Sequence, residues 1–127
     1  MDEDVRNWVT ISEYDLGTAE DMLAVGRYVY VLFACQQALE KMLKALITQC
    51  SGEMPPRIHD LIELAVRAGL EIDDEQERLF RALNLYYIET RYSSKLIEPE
   101  GQVNEELAGE VLEKTREVWQ CLRAKLQ

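Results

Sequence analysis

Gln37, Glu40, Lys41 and Lys44 stand three and four residues apart along one short stretch of chain. At about 100° per residue on a helix, that spacing gathers them on one face, opposite an apolar seam through Leu39. Tyr30 and Phe33 point the same way. Ammonium groups beside aromatic planes are the parts a nucleotide site needs, namely phosphate partners and a stacking surface. The same stripe also reads as a solvated outer face, with Glu40 and Lys44 as an i,i+4 pair contributing about 0.3–0.5 kcal/mol. The rest of this helix is apolar around well over half its circumference. That suits a central helix covered on two sides, with the polar stripe in a groove or at a subunit interface.

Two further residues could do chemistry. Arg91 lies one helical turn beyond Tyr87, at the margin of an apolar face. It reads either as a cap for the last carbonyls of its helix or a partner for Asp15 or Glu40, or as a phosphate-binding or catalytic arginine. His59 is the only histidine of the chain. It reads as a local hydrogen-bonding residue at a helix start, or as a general acid–base group. One histidine without an HExxH pattern predicts no metal site, and no cofactor is expected. A phosphate-cradling glycine loop and a GxSxG element are absent from the sequence.

The elements that must hold these residues read as helices. Val5, Trp8, Ile11, Leu16, Ala19, Met22 and Leu23 recur at mostly helical spacing from Asp2 to Leu23, and Gly26 ends that run. A second helix is expected from Arg27 to Cys50, with Tyr28, Leu32, Cys35, Leu39, Met42 and Leu46 as its seam and Ser51-Gly52 as its stop. A loop with Pro55-Pro56 follows. A short third helix spans His59 to Ala68, before Gly69. A fourth begins at an N-cap of Asp73 or Asp74 and runs to Tyr92, with Leu79, Phe80, Leu83, Tyr86, Tyr87 and Thr90 facing inward. Residues 93–102 read as a loop. A fifth helix, from Val103 to Lys125, buries Leu107, Val111, Leu112, Val118, Trp119 and Leu122. The expectation is one all-α domain over residues 1–127, an up-and-down antiparallel bundle of four long helices plus one short one.

Composition narrows the function classes. The 127 residues carry a net charge of −10, which disfavours a duplex DNA binder. No run of about 20 apolar residues exists to cross a membrane. The start Met1-Asp2-Glu3-Asp4 is acidic where a signal peptide would be basic, so a cytoplasmic location is expected. Cys35, Cys50 and Cys121 form no CxxC, and Cys35 and Cys121 read as small apolar helix residues.

At these residues the sequence resembles the HEPN family, the higher-eukaryote and prokaryote nucleotide-binding domain. The resemblance rests on Tyr14-Asp15-Leu16 with Ala19, on Tyr28 through Lys44 with its Gln-Gln-Ala-Leu-Glu-Lys-Met-Leu-Lys run, on His59-Asp60-Leu61, and on Tyr87 through Tyr92 ending Thr-Arg-Tyr. It implies a helical bundle that forms a homodimer, often beside a small nucleotidyltransferase in toxin–antitoxin fashion. It also implies, for many members, metal-independent endoribonuclease activity. That activity uses a Glu-x-x-x-Lys element, matched by Glu40 and Lys44, and an Arg-x(4–6)-His element, of which only Arg91 is present. The histidine positions hold Leu96, Ile97 and Glu98.

Three readings follow. In the first, the chain is non-catalytic and binds a nucleotide, a short RNA or a partner nucleotidyltransferase in a groove lined by Asp15, Gln37, Glu40, Lys41, Lys44, Arg91 and Tyr92. In the second, it is a ribonuclease using Arg91, with His59 or Tyr92 as a non-standard base. In the third, it is a ligand-free dimeric adaptor with Lys41 and Lys44 in open solvent.

Overall fold

A computed structural model describes residues 1–92 and 103–127, with side chains given for 1–88 and 103–127. Five helices follow in order: α1 (Glu3–Ala24), α2 (Tyr28–Ser51), α3 (Leu61–Arg67), α4 (Asp74–Tyr92) and α5 (Glu105–Arg123). Among the described residues there is no strand, and the four long helices and one short one form the expected bundle. The loop expected at 93–102 lies outside the described residues.

Side-chain oxygens start four of the helices. Asp2 accepts from the Asp4 N–H, Asp60 from Ile62 and Glu63, and Asn104 from Leu107. At α4, Asp73 and Gln76 exchange bonds of 2.7 and 3.1 Å, a reciprocal capping box that decides between the two N-cap candidates. α2 has no such cap. Its start is set instead by the reversal at Gly26, whose φ of 81° suits a residue without Cβ, and by Arg27 N–H bonding back to Met22 O.

α2 is the centre of the bundle and packs on all four other helices. From Val31 to Thr48 every residue is buried except Phe33, Gln37 and Lys41, which are half-buried. Those three are spaced by four, so α2 opens to the surface along a single line that begins at the exposed Tyr30. The seam residues Leu32, Cys35, Leu39, Met42 and Leu46 lie in the core with Phe80 and Leu83 of α4 and Leu112 and Leu122 of α5.

Three expectations change. On α1, Ile11 is exposed, whereas Val9 and Ser12 are buried. The true stripe runs 5, 9, 12, 16, 19, and Ile11 sits about 100° around from Ser12. Cys121 is exposed and only Cys35 is in the core, where burial pushes its thiol up to about 12 and leaves it inert. α3 begins at Leu61, because the Asp60 side chain caps it there, and His59 remains outside the helix.

Candidate functional site

The polar stripe of α2 is not a solvated outer face. Glu40 is 2 % exposed and Lys44 6 %, both enclosed by α1 and by the loop that leads into α3. A buried carboxylate needs partners for both oxygens. Glu40 Oε1 accepts from His59 Nδ1 at 2.9 Å and from Gln36 Nε2 at 3.2 Å. Its Oε2 accepts from Lys44 Nζ at 3.1 Å and lies 3.8 Å from Lys41 Nζ. Burial pushes the Glu40 carboxyl up. The bonds from His59 and Gln36, with the Lys44 and Lys41 charges, outweigh it and hold the group below the usual carboxylate range. Glu40 is therefore ionised and can only accept, so the His59 nitrogen facing it carries the proton.

The network continues along the helix. Gln36 Nε2 also donates to the His59 carbonyl at 2.9 Å, and Gln36 Oε1 accepts from Gln37 Nε2 at 2.6 Å. Gln37 Oε1 accepts from Lys41 Nζ at 2.9 Å, and the same ammonium lies 3.8 Å from Asp15 Oδ2 on α1. Burial dominates at Asp15 and raises its carboxyl above the ordinary value, against the pull of Lys41 and with a push from the Glu40 charge. Lys44 Nζ lies 5.7 Å from the Trp8 ring centroid, so its charge is shared between a carboxylate and an indole face. Neither lysine stands in open solvent, as the adaptor reading required.

The rings form the outer edge of this network. Phe33 stacks on Tyr87 with centroids 5.6 Å apart and an angle of 11° between planes. The His59 ring tilts against the same tyrosine at 5.2 Å. The His59 side chain is 49 % exposed, so one edge of the imidazole is held by Glu40 while the ring reaches the surface. Asn84 fixes the approach: its Oδ1 accepts from the Leu61 N–H, and its Nδ2 donates to Asp60 Oδ1, both at 2.9 Å. His59 is thus pinned between α2 and α4 rather than bonded locally at the helix start.

Of the candidate residues, Asp15, Gln37, Glu40, Lys41, Lys44 and His59 come together in one cluster. The side chains of Arg91 and Tyr92 lie outside the described residues. On α4, position 91 follows Tyr87 by four residues, one turn along the helix. Sequence reading passed over Gln36, Asn84 and Trp8. Gln36 carried one signal, a polar residue beside the Cys35 position of an otherwise apolar seam. Among the described residues, no group of histidine, cysteine and carboxylate side chains could hold a metal ion. No helix there is long and apolar enough to cross a membrane.

A model of the HEPN domain matches residues 5–125. Among solved structures, TT1696 from Thermus thermophilus is similar with a TM-score of 0.78 and 27% identity, over 96% of this chain and 98% of that one. The structure of ST0689, an archaeal HEPN homologue, gives a TM-score of 0.75 at 23% identity, over 97% and 98% of the two chains, and supports a shared fold. No curated protein matches the chain.

Proposed function

This chain belongs to the HEPN family, and on that premise we propose that it binds a nucleotide, free or at the end of a short RNA, without cutting it. It does so as a homodimer and in company with a small nucleotidyltransferase. The observation that carries the reading is the run of three rings, Phe33, Tyr87 and His59, at the edge of a polar network. Rings at a partly open surface give a base something to stack on. Arg91, one turn beyond Tyr87, is the residue for the phosphate. Glu40 serves by holding His59, since its own oxygens are already occupied. Lys41 and Lys44 offset the local negative charge that a phosphate would otherwise meet in a chain of net charge −10.

The test is nucleotide binding by calorimetry and thermal shift. Tyr87→Ala should weaken binding about 5- to 150-fold, the range for one lost stacking partner, and Tyr87→Phe should retain it. Arg91→Glu should abolish it. If both Tyr87→Ala and Arg91→Glu bind ATP, GTP and short oligonucleotides as wild type does, the reading is wrong. Sedimentation velocity tests the dimer.

One observation favours a second reading, a metal-independent ribonuclease. Glu40 occupies Nδ1 of His59, which leaves Nε2 as the ring nitrogen that would serve as a general base. RNA cleavage in the presence of a chelator, lost in both His59→Ala and Arg91→Ala, would establish it. Intact RNA at every protein concentration would remove it.

A further inference from the structure

At the end of the bundle where α1 starts and α2 stops, two clefts adjoin that the ring face does not use. One, of about 230 Å³, is walled by Trp8 and Ile11 of α1 and by Met54 and Pro55 of the loop after α2, with Asp4 and Thr48 at its edge. The other, of about 360 Å³, contains Asp4 and Thr48 again, together with Asp2 and Gly52. The two meet at the shared pair and form one trough. Its chemistry is two-sided.

The apolar half is open. Met54 is 82 % exposed and Ile11 43 %, side by side on this cleft. Trp8 gives this half a fixed wall, because its ring is held by the Lys44 ammonium. The polar half is negative. Asp2 and Asp4 make no ion pair among the described residues. The Met1 amino terminus lines the second cleft and offsets one of these two carboxylates. Arg6, the nearest cationic side chain, bonds to the Met1 carbonyl and lines neither cleft. The last turn of α2 carries no basic side chain, so the negative end of its dipole is not offset where Gly52 opens the trough. An anionic ligand, whether nucleic acid or an acidic lipid surface, is repelled here. A cation next to an apolar group is attracted twice.

We propose that this trough docks a segment of a partner protein in which an aliphatic side chain is flanked by lysine or arginine. The aliphatic group enters the cleft of Trp8, Ile11, Met54 and Pro55. The cation faces Asp4 and the end of α2. The site shares no residue with the ring face and meets its polar network only where Trp8 touches Lys44, so variants of Tyr87 and of Asp4 or Ile11 test the two separately.

Trp8 supplies the readout. The probe is a blocked Leu-Lys-Leu-Arg peptide, with Leu-Glu-Leu-Glu as its charge-reversed control. The basic peptide should change tryptophan emission saturably by millimolar concentration, and the acidic one should not. The response should vanish in Trp8→Phe, which identifies the reporter. It should weaken about tenfold or more in Asp4→Lys, since reversal replaces an attraction by a repulsion. Ile11→Glu, at an exposed position, should have the same effect and covers the case in which Asp4→Lys fails to fold. Tyr87→Ala should leave the response unchanged. Equal responses to both peptides, or none at millimolar concentration, would overturn the proposal. So would a change in emission with protein concentration alone, which would make a second copy of the chain the occupant.

Discussion

His59 Nδ1 lies 2.9 Å from Glu40 Oε1, a bond between residues 19 apart that ties the loop before α3 to the middle of α2. It joins an irregular connection to the most enclosed helix of the bundle, and it does so through a charge.

That charge predicts a pH dependence. The folded-state pKa of Glu40 lies below the unfolded one, about 4.3 for glutamate. Its contribution to stability is therefore fully present above that value and is lost as pH falls through the lower folded value. Glu40→Gln should destabilise most at neutral pH and progressively less in acid. Thermal unfolding of both proteins between about pH 3 and 7 checks this, and a gap that does not change with pH would refute it.

Asp15 should behave in the opposite sense. Its folded-state pKa lies above the unfolded value, about 3.9 for aspartate. Its favourable contribution is present below that value and is lost as pH rises through the folded one. Asp15→Asn should therefore unfold at neutral pH no earlier than wild type. A clear loss of melting temperature would show that Lys41 outweighs burial at this carboxyl.

Ser12 joins three helices. Its Oγ donates to the Ala38 carbonyl at 2.6 Å and accepts from Trp119 Nε1 at 2.8 Å. Ser12→Ala leaves the Trp119 indole N–H without its partner and returns the Ala38 carbonyl to its helical bond alone, and should cost about 1–3 kcal/mol in denaturant unfolding. Trp119→Phe should cost less when Ser12 is already alanine, because the second partner is then gone. Additive losses would mean that the two residues act independently.

Asn84 should matter more as an aspartate than as an alanine. Asn84→Ala removes two hydrogen bonds at the start of α3 and should cost about 1 kcal/mol, with faster amide exchange at Leu61. Asn84→Asp keeps the acceptor for Leu61 but sets a second carboxylate against Asp60, 2.9 Å from the atom it replaces. It should be the more destabilised of the two at neutral pH and recover in acid.

The helices were legible because their signals are local. Seam residues of α2, the turn at Gly26 and the acidic cap before α4 each depend on neighbours within a few positions. Errors arose where one position decides. Ile11 looks like a core residue by type, yet Ser12 holds the inward position because its hydroxyl has two buried partners. Glu40 and Lys44 were legible as a pair but not as a buried one. An i,i+4 spacing looks the same on an outer face as in an interior, and only the apolar surroundings of α2 told them apart. Gln36, four residues before Glu40 on α2, is a local partner, but His59 and Trp8, which settle the question, are brought in by tertiary packing from a loop and from another helix. No spacing rule reaches that far. His59 itself looked like part of α3 until the Asp60 cap placed it outside.

The central position of α2 has a consequence for how this chain can change length. One residue inserted after Glu40 would turn everything beyond it by about 100°. Lys44 would leave its carboxylate, and the seam would lose register with four neighbours at once. The connection from Gly52 to Asp60 is constrained as well, because it must deliver His59 to Glu40 at one end and Asp60 to Asn84 at the other. Insertions in this chain are therefore best tolerated at the outer ends of α1 and α5, where added residues leave the spacing between Glu40, His59 and Tyr87 intact.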